Sequence, residues 1–345
     1  MNIVVQKYGG SSVENKEKLE KICEKIISYR DKKYDLVIVV SAQGKTTDKL
    51  IHTANEYAKH PTKRELDLLL TTGEIQTVAL LSMMLNARGY DAVGLTGEQA
   101  GIISDSNYGN ATIKSIYINN ILNYINEGKI VIVAGFQGVD RFGNITSLGR
   151  GGSDLSAVAI ASALKAKKCE IYSDIDGIFS ADPKVIPKAK LLKSISYDEM
   201  LEASTAGAKV LHNRSVHMGK KHNIPILVKN SQTQANGSVV GDDRTPLEEY
   251  KVKFISKKDD VSKISIIGDM VMSNKEAINI LFDLAAKENI RIYMITFSEL
   301  AIQLVVDTEI AEDFMQKLHE RLFENENNEN KTIKKETAKK ETEEK

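Results

Sequence analysis

Several short clusters carry residue types that could hold or transfer a charged group. The first is Lys7-Tyr8-Gly9-Gly10-Ser11-Ser12, which follows a strand-like run and precedes a helical one. A glycine pair lets backbone come close to a ligand, and N–H groups at a helix start attract phosphate oxygens. A lysine at the strand end could reach the same anion and balance the charge that builds as a phosphoryl group moves. The plain structural alternative is a tight strand-to-helix turn with a solvated lysine. Neither the GxxxxGK[ST] nor the GxGxxG pattern occurs, so this is not a standard P-loop or dinucleotide site.

A hydroxyl-rich loop, Ser41-Ala42-Gln43-Gly44-Lys45-Thr46-Thr47-Asp48, ends the second strand-like run. In an open parallel sheet ligands bind at the carboxyl ends of strands, although Thr47 could equally cap the next helix. Gly149-Arg150-Gly151-Gly152-Ser153-Asp154 introduces another helix. Ser153 or Asp154 could be its cap. An arginine beside three glycines suits more than a cap, because its guanidinium takes a carboxylate in bidentate fashion while Asp154 could receive an ammonium. An α-amino acid offers both groups on one carbon. Ser173-Asp174-Ile175-Asp176-Gly177-Ile178-Phe179, with Asp182-Pro183-Lys184, ends a further strand. Its acids could cap and turn the chain, while Phe179 and Lys184 could hold adenine and phosphates. Glu74, after Gly73, and Lys209, in Ala206-Gly207-Ala208-Lys209, read by themselves as solvated surface residues.

The elements that must position these clusters alternate in type through residue 230. Strand-like runs are Ile3–Lys7, Leu36–Ser41, Asp91–Leu95, Ile130–Ala134, Cys169–Ser173 and Ile224–Lys229. Helical spacing is seen at Leu19, Ile22, Cys23, Ile26 and Ile27, across Lys63–Asn86 with an interruption at Gly73-Glu74, and near Ile113–Ile125, Asp154–Lys165 and Ala208–His222. Nearly continuous Val and Ile runs belong to parallel strands buried on both faces. The pattern predicts an α/β three-layer sandwich with a mostly parallel central sheet, with a hairpin turn at Arg141-Phe142-Gly143-Asn144.

Polar turn-formers then fill residues 231–250, the best boundary. A compact unit follows, with strands at Lys251–Ile255, Lys263–Ile267, Arg291–Thr296 and Ala301–Val306 and helices at Lys275–Lys287 and Ile310–Leu322. Two helices on one face of a small antiparallel sheet is a ferredoxin-like α+β plan. The expected domains are thus 1–240 and 250–323, followed by a charged tail, 324–345, too poor in apolar residues to offset its ordering entropy.

The whole is 345 residues, 42% hydrophobic, with 47 basic and 47 acidic side chains. That balance gives no support for nucleic acid or an anionic membrane as partner. Cys23 and Cys169 lie in apolar stretches without metal-binding spacing and read as buried small hydrophobes. The chain starts directly in a strand-like run, so no signal peptide is expected, nor any apolar segment as long as a membrane span. A cytoplasmic enzyme is the expectation.

Taken together, KYGGSSV, VVSAQGKTTDKL, LLTTGE, LTGEQAGI, GFQGVD, TSLGRGGSDLSA, EIYSDIDGIFSADP and AGAKVLHNRSV resemble the aspartate kinases of the amino-acid kinase family over most of residues 3–240. The resemblance implies transfer of the ATP γ-phosphoryl group to the β-carboxylate of L-aspartate, giving 4-phospho-L-aspartate and ADP. This is the first step toward lysine, threonine and methionine. It implies that Lys7 bridges the γ-phosphate and the attacking carboxylate, with Tyr8, Gly9 and Gly10 beside the nucleotide. Ser41 and Thr47 would help hold the substrate. Glu74 and Asp154 would take its ammonium, and Arg150, with Gly151, Gly152 and Ser153, its α-carboxylate. Ser173, Asp174, Phe179 and Lys184 would line the nucleotide site, and Lys209 would touch phosphates. Magnesium would accompany the ATP without a dedicated protein cage. Two positions depart from the family: Lys184 stands where arginine is usual, losing a bidentate grip, and Asn213 follows His212 where proline is common.

The C-terminal unit resembles an ACT domain, notably at VSKISIIGDM, Asn289–Thr296 and Phe297-Ser298-Glu299-Leu300. The family usually has two such domains, and this chain has room for one. Edge pairing of two ACT sheets would make a homodimer natural. An amino-acid effector is implied, with weak or absent lysine feedback expected from the single domain. Two other readings compete. One is a kinase for glutamate, acetylglutamate or a nucleotide, which Arg150, Asp154 and Glu74 disfavour for UMP. The other is an amino-acid sensor without catalysis, which retention of Lys7, Arg150, Asp154 and Lys209 disfavours.

Overall fold

The computed structural model describes residues 2–208, 210–233, 235–242, 255–268, 271–298 and 300–324. Lys209, Glu299, most of the anticipated strand Lys251–Ile255 and nearly all of the charged tail lie outside the described residues. Two compact units divide at Lys257 and Lys258.

Unit one begins with β1 (Ile3–Tyr8), α1 (Lys16–Asp31), β2 (Asp35–Val40), α2 (Thr46–Tyr57), α3 (Lys63–Leu70) and α4 (Thr72–Asn86). It continues through β3 (Ala92–Leu95), β4 (Ile102–Ser104), β5 (Ile113–Ile116), α5 (Asn119–Asn126), β6 (Ile130–Ala134), β7 (Gln137–Val139) and β8 (Ile145–Ser147). It ends with α6 (Gly152–Ala163), β9 (Lys168–Ser173), β10 (Ser194–Ile195), α7 (Tyr197–Thr205), α8 (Asn213–His222), β11 (Ile226–Asn230) and β12 (Ser238–Val240).

The eight-stranded central sheet has the order β10-β12-β11-β9-β1-β2-β6-β3, parallel throughout except for the β11–β12 pair. Side chains alternate across it with the period of two that a strand imposes. Val4, Tyr8, Leu36, Ile38, Val40, Ile130 and Ile132 pack beneath Leu19, Ile22 and Ile26 of α1 and Leu81 and Leu85 of α4. Ile3, Val5, Val37, Val39, Val131 and Val133 face Ile121, Val158, Ile160, Met200 and Val216 on α5 to α8. This is the anticipated three-layer sandwich, and burial on both faces is why those strands read as unbroken apolar runs. A smaller sheet, β5-β4-β7-β8, carries the Arg141–Asn144 hairpin turn between β7 and β8.

Several local expectations change. Ile113–Ile125 is a strand and a helix, because Ile113, Ser115 and Ile116 are captured by antiparallel pairing with β4. The helical stretch from Lys63 breaks at Thr71, two residues before the Gly73 of the expected interruption. α8 starts only at Asn213, since His212 is extended and accepts the Arg214 N–H as its cap. Lys63–Asn86 is also long and apolar enough by composition to cross a membrane, contrary to expectation, Glu74 being the sole ionisable residue between Leu68 and Ala87. Half of its apolar window is buried inside the unit.

Unit two runs β13 (Val261–Ile267), α9 (Lys275–Lys287), β14 (Met294–Phe297), β15 (Ala301–Asp307) and α10 (Thr308–His319). Its antiparallel sheet has the order β13-β15-β14, and Ile264, Ile302, Leu304 and Val306 pack with Leu281, Leu284, Phe314 and Leu318 of the two helices. Placing the third strand between the first and second is the ferredoxin-like arrangement.

Candidate active site

Register brings the chemistry together at one end of the central sheet. Lys7 sits opposite Val39 on β2 and Ile171 on β9, so the loops after all three strands converge. The Lys7 side chain shares the sheet face of Ile3 and Val5, the face covered by α6. There its Nζ lies 2.5 Å from Asp154 Oδ1 in the first turn of α6, both side chains being largely buried. An acidic residue in a helix's first turn is favoured by the exposed N–H groups there. Asp154 therefore contributes to the start of α6 and to a charge pair at once. The N-cap itself is Gly151, left-handed at φ 69°, with no side-chain capping bond. The capping alternative for Ser153 and Asp154 does not hold.

The Gly9–Gly10 turn is fixed by Gly9 N–H to Tyr172 O at 3.2 Å and by Gly44 N–H to Gly10 O at 3.0 Å. A Cβ on Gly10 would stand 2.9 Å from Ala42 O, so only glycine lets the first and second loops touch. Tyr8 contributes no side chain to this site. Its ring is fully buried on the opposite face, stacked on Tyr172 at 4.8 Å. Of this residue only the backbone borders the loop.

Glu74 is the residue whose sequence reading changes most. It is not a solvated surface acid: it is 3% exposed, in the first turn of α4. One oxygen accepts the Ala42 N–H at 3.1 Å and the other has no partner among the described residues. Burial pushes its carboxyl up to about 7, with the Ala42 hydrogen bond offsetting part of the rise. Gly73 permits this docking, since a Cβ there would meet the Ala42 side chain at 2.8 Å. Ser41 precedes Ala42 and is half-buried, while Thr47 lies inside the first turn of α2, whose cap is Lys45.

Arg150 is exposed and makes no ion pair or hydrogen bond among the described residues, leaving its guanidinium available. Gly152 and Ser153 pack against the chain reversal after β6, where a Cβ on Gly135 would meet Ser153 Oγ at 2.9 Å. On the other flank, Ser173 ends β9 beside Gly9, and its Oγ accepts the Ile175 N–H. Asp174 is exposed, Phe179 is half-buried and bridged to Leu191, and Lys184 stands on an exposed turn closed by its N–H to Asp182 Oδ1. Lys7 thus meets Asp154 and borders Gly9, while Gly10 and Glu74 both meet Ala42, the neighbour of Ser41, and Ser173 follows the strand that Gly9 bonds.

One group beside the site escaped the sequence reading. Glu170, fully buried on β9, accepts bonds from Gln6, Tyr29, Lys168, Tyr172 and Lys229. Its signal was available: a charged residue inside a strand buried on both faces must be paired.

Residues 2–230 match the amino acid kinase family, and residues 264–322 match an ACT domain. The aspartokinase of Bacillus sp. (strain MGA3) is 42% identical over 309 residues, covering 90% of this chain and 73% of that one. Among solved structures, aspartate kinase from Synechocystis superposes with a TM-score of 0.63 at 34% identity. The match covers 91% of this chain but 54% of that one, so this chain spans about half its length. E. coli aspartokinase III in complex with aspartate and ADP shares the fold, with a TM-score of 0.64 at 22% identity over 93% of this chain and all of that one.

Proposed function

This chain belongs to the amino acid kinase family, among its aspartate kinases, and on that premise we propose that Lys7, Glu74, Arg150 and Asp154 carry the transfer of the ATP γ-phosphoryl group to the β-carboxylate of L-aspartate. The observation that carries the residue assignment is the pairing of Lys7 with Asp154 at 2.5 Å, together with a buried Glu74 docked on the neighbouring loop with one carboxylate oxygen unpaired among the described residues. An amino acid's ammonium satisfies that oxygen and competes with Lys7 for Asp154. Lys7 is then released toward the phosphoryl group. Arg150, on its glycine loop, takes the α-carboxylate in bidentate fashion.

The β-carboxylate is ionised at neutral pH, so no general base is required. One of its oxygens forms the new bond to γ-phosphorus as the bond from γ-phosphorus to the bridging oxygen breaks, and ADP leaves with that electron pair. Alignment and charge stabilisation by Lys7 and the N–H groups of the Gly9–Gly10 turn supply the catalysis. Ser41, Thr47, Gly151, Gly152 and Ser153 border the substrate. Ser173, Asp174, Phe179 and Lys184 line the nucleotide, with Lys209, outside the described residues, at its phosphates. Among the described residues no three acidic, histidine or cysteine side chains gather as a metal cage. A magnesium ion fits as one held by the phosphate oxygens and water, neutralising their charge.

The ACT unit pairs two chains into a homodimer through its sheet edges and offers a site for an amino-acid effector, with weak lysine feedback, in a cytoplasmic enzyme. Support for the pairing is that the outer edges of β13 and β14 have no strand partner among the described residues. The decisive experiment is an ADP-release assay across aspartate, glutamate, acetylglutamate and UMP, with Lys7→Ala alongside. Turnover on aspartate alone, abolished in a folded Lys7→Ala protein, is expected. Turnover on glutamate and not aspartate overturns the substrate, and an active Lys7→Ala overturns the role of Lys7.

A further inference from the structure

The Gly149–Gly152 loop that presents Arg150 is intrinsically loose. Gly149 and Gly151 both adopt positive φ, at 76° and 69°, and glycine loses more conformational freedom on ordering than any other residue. Arg150 itself is exposed and its side chain makes no hydrogen bond among the described residues. The Gly152 N–H closes the turn on Gly149 O at 2.9 Å, and where that turn sits depends on what grips the chain leading into it.

Two charged side chains do so just before Gly149. Asp67 on α3 is 1% exposed. Its Oδ2 accepts the Ser147 N–H at 2.7 Å and the Gly109 N–H at 2.9 Å, and its Oδ1 accepts the Ser147 hydroxyl at 2.6 Å. Arg214, in the first turn of α8, donates to Leu148 O at 2.5 Å, Ala111 O at 2.6 Å and Asn110 Oδ1 at 3.1 Å. The carboxylate takes N–H groups and the guanidinium gives to oxygens, on the same two stretches, 109–111 and 147–148. Those stretches are tied to each other by Ala111 N–H to Ser147 O at 2.8 Å. From the far side, His212 packs where a Cβ of Gly151 would stand, at 2.4 Å. Among the described residues neither charge meets an opposite charge directly: apart from one side-chain partner each, Ser147 Oγ and Asn110 Oδ1, they bond the backbone leading into the loop. Burying a charge is tolerated only when it is fully hydrogen-bonded, which makes the Asp67 grip geometrically demanding; Arg214 is half-buried, and its demand comes from aiming a planar fork at three acceptors.

We propose that Asp67 and Arg214 are positioning residues that together clamp the chain entering the Gly149–Gly152 loop and thereby set the affinity for the amino-acid substrate through Arg150. The inference rests on the assignment of Arg150 to the substrate α-carboxylate. A lysine at 214 keeps the charge but cannot reach three acceptors with a planar fork. An asparagine at 67 keeps the shape but exchanges an acceptor oxygen for a donor.

The test is steady-state kinetics of the full-length chain as Arg214→Lys, Asp67→Asn, Arg150→Ala and the Arg150→Ala/Arg214→Lys double variant. Misplacing a binding group raises KM for the substrate it holds. Arg214→Lys and Asp67→Asn are expected to raise KM for aspartate about tenfold, with KM for ATP and kcat within about twofold of the parent. In the Arg150→Ala background, Arg214→Lys is expected to add nothing, because the group it positions is gone. If Arg150→Ala leaves KM for aspartate unchanged, the carboxylate assignment fails. If Arg150→Ala raises it and Arg214→Lys does not, the clamp alone fails. A parallel rise in both KM values, or additive losses in the double variant, also overturns the clamp by making the role merely structural. Should Arg214→Lys not fold, Asn110→Ala removes one exposed partner of the guanidinium, and the same split between the two KM values decides.

Discussion

Two buried glutamates in unit one, barely exposed and set on neighbouring layers, are treated in opposite ways. Glu170 is surrounded by five donors, three uncharged and two lysines. Burial alone would raise its carboxyl, but the hydrogen bond from Lys168 and the charges of Lys229 and Lys168 outweigh it and hold the group below its ordinary value. Among the described residues Glu74 has one main-chain donor from another residue, Ala42, and no cation in contact, and its carboxyl is pushed up to about 7. A buried carboxylate with every lone pair used stabilises a fold; one with an oxygen to spare is built for something that arrives later. The difference separates scaffold from site inside one domain.

The sharpest way to break that contrast is to neutralise each glutamate without changing its shape. Glu74→Gln should lower kcat/KM for aspartate by roughly two to three orders of magnitude, since truncating one side of a desolvated charge pair costs about 3–4 kcal/mol. Its Tm at pH 8 should be no lower than the parent's, because the variant no longer buries an ionised group. Glu170→Gln should do the reverse. It leaves Lys168 and Lys229 without their counter-charge, and because both keep some contact with water the loss should be about 2–3 kcal/mol, or roughly 5–10 °C in Tm. KM for aspartate should move little. If both variants lose activity and stability in the same proportion, the distinction between scaffold and site is void.

The pH dependence follows next in size. The folded Glu74 carboxyl titrates near 7, above the ordinary 4.5, so the folded state binds the extra proton. Its contribution to stability is fully present below pH 4.5 and is lost as pH rises through 7, by on the order of 3 kcal/mol. Glu170 runs the other way: its folded value is depressed, so its contribution is present above the unfolded value and lost as pH falls through the folded one. The ammonium of aspartate needs Glu74 ionised. KM for aspartate should therefore fall by up to about tenfold per unit as pH rises toward 7 and then level off, while Glu74→Gln should show no such slope. A parent enzyme whose KM is flat from pH 6 to 8 would remove Glu74 from the ammonium site.

Much of this site could be read in the sequence because the chemistry lay in compact runs after strands. Lys7 with Gly9-Gly10, Arg150 through Asp154, and Ser173 are loop residues, and parallel-sheet topology sends such loops to one end. Glu74 is assigned only through the family resemblance; by itself it reads as a solvated acid, because its burial is created by Gly73 packing on Ala42, a contact between residues far apart in sequence. Asp67 and Arg214 were hidden for the same reason: an acid in Leu-Asp-Leu-Leu-Leu and a base in Asn-Arg-Ser look like ordinary helix residues until α3 and α8 are seen to bond the same chain entering one loop. The helix expected at Ile113–Ile125 failed over Ile113–Ile116 through tertiary pairing of β5 with β4, which no helical spacing can register, and held from Asn119.

The smallest test probes whether Glu170 depends on its whole network or on one partner. Tyr29 donates its hydroxyl to Glu170 Oε1 at 2.9 Å from α1, and that oxygen also receives Lys168 at 2.8 Å and Lys229 at 3.2 Å. Removing the hydroxyl in Tyr29→Phe therefore orphans nothing: the acceptor keeps two charged donors and the ring keeps its packing against Tyr34. The expected cost is that of one net hydrogen bond, about 1 kcal/mol, read as a fall of roughly 2–4 °C in Tm with kinetics unchanged. A fall as large as that of Glu170→Gln would mean that Tyr29 alone holds the cluster together. Glu170 would then be as sparsely supported as Glu74, and the contrast between the two would rest on charge rather than on hydrogen-bond satisfaction.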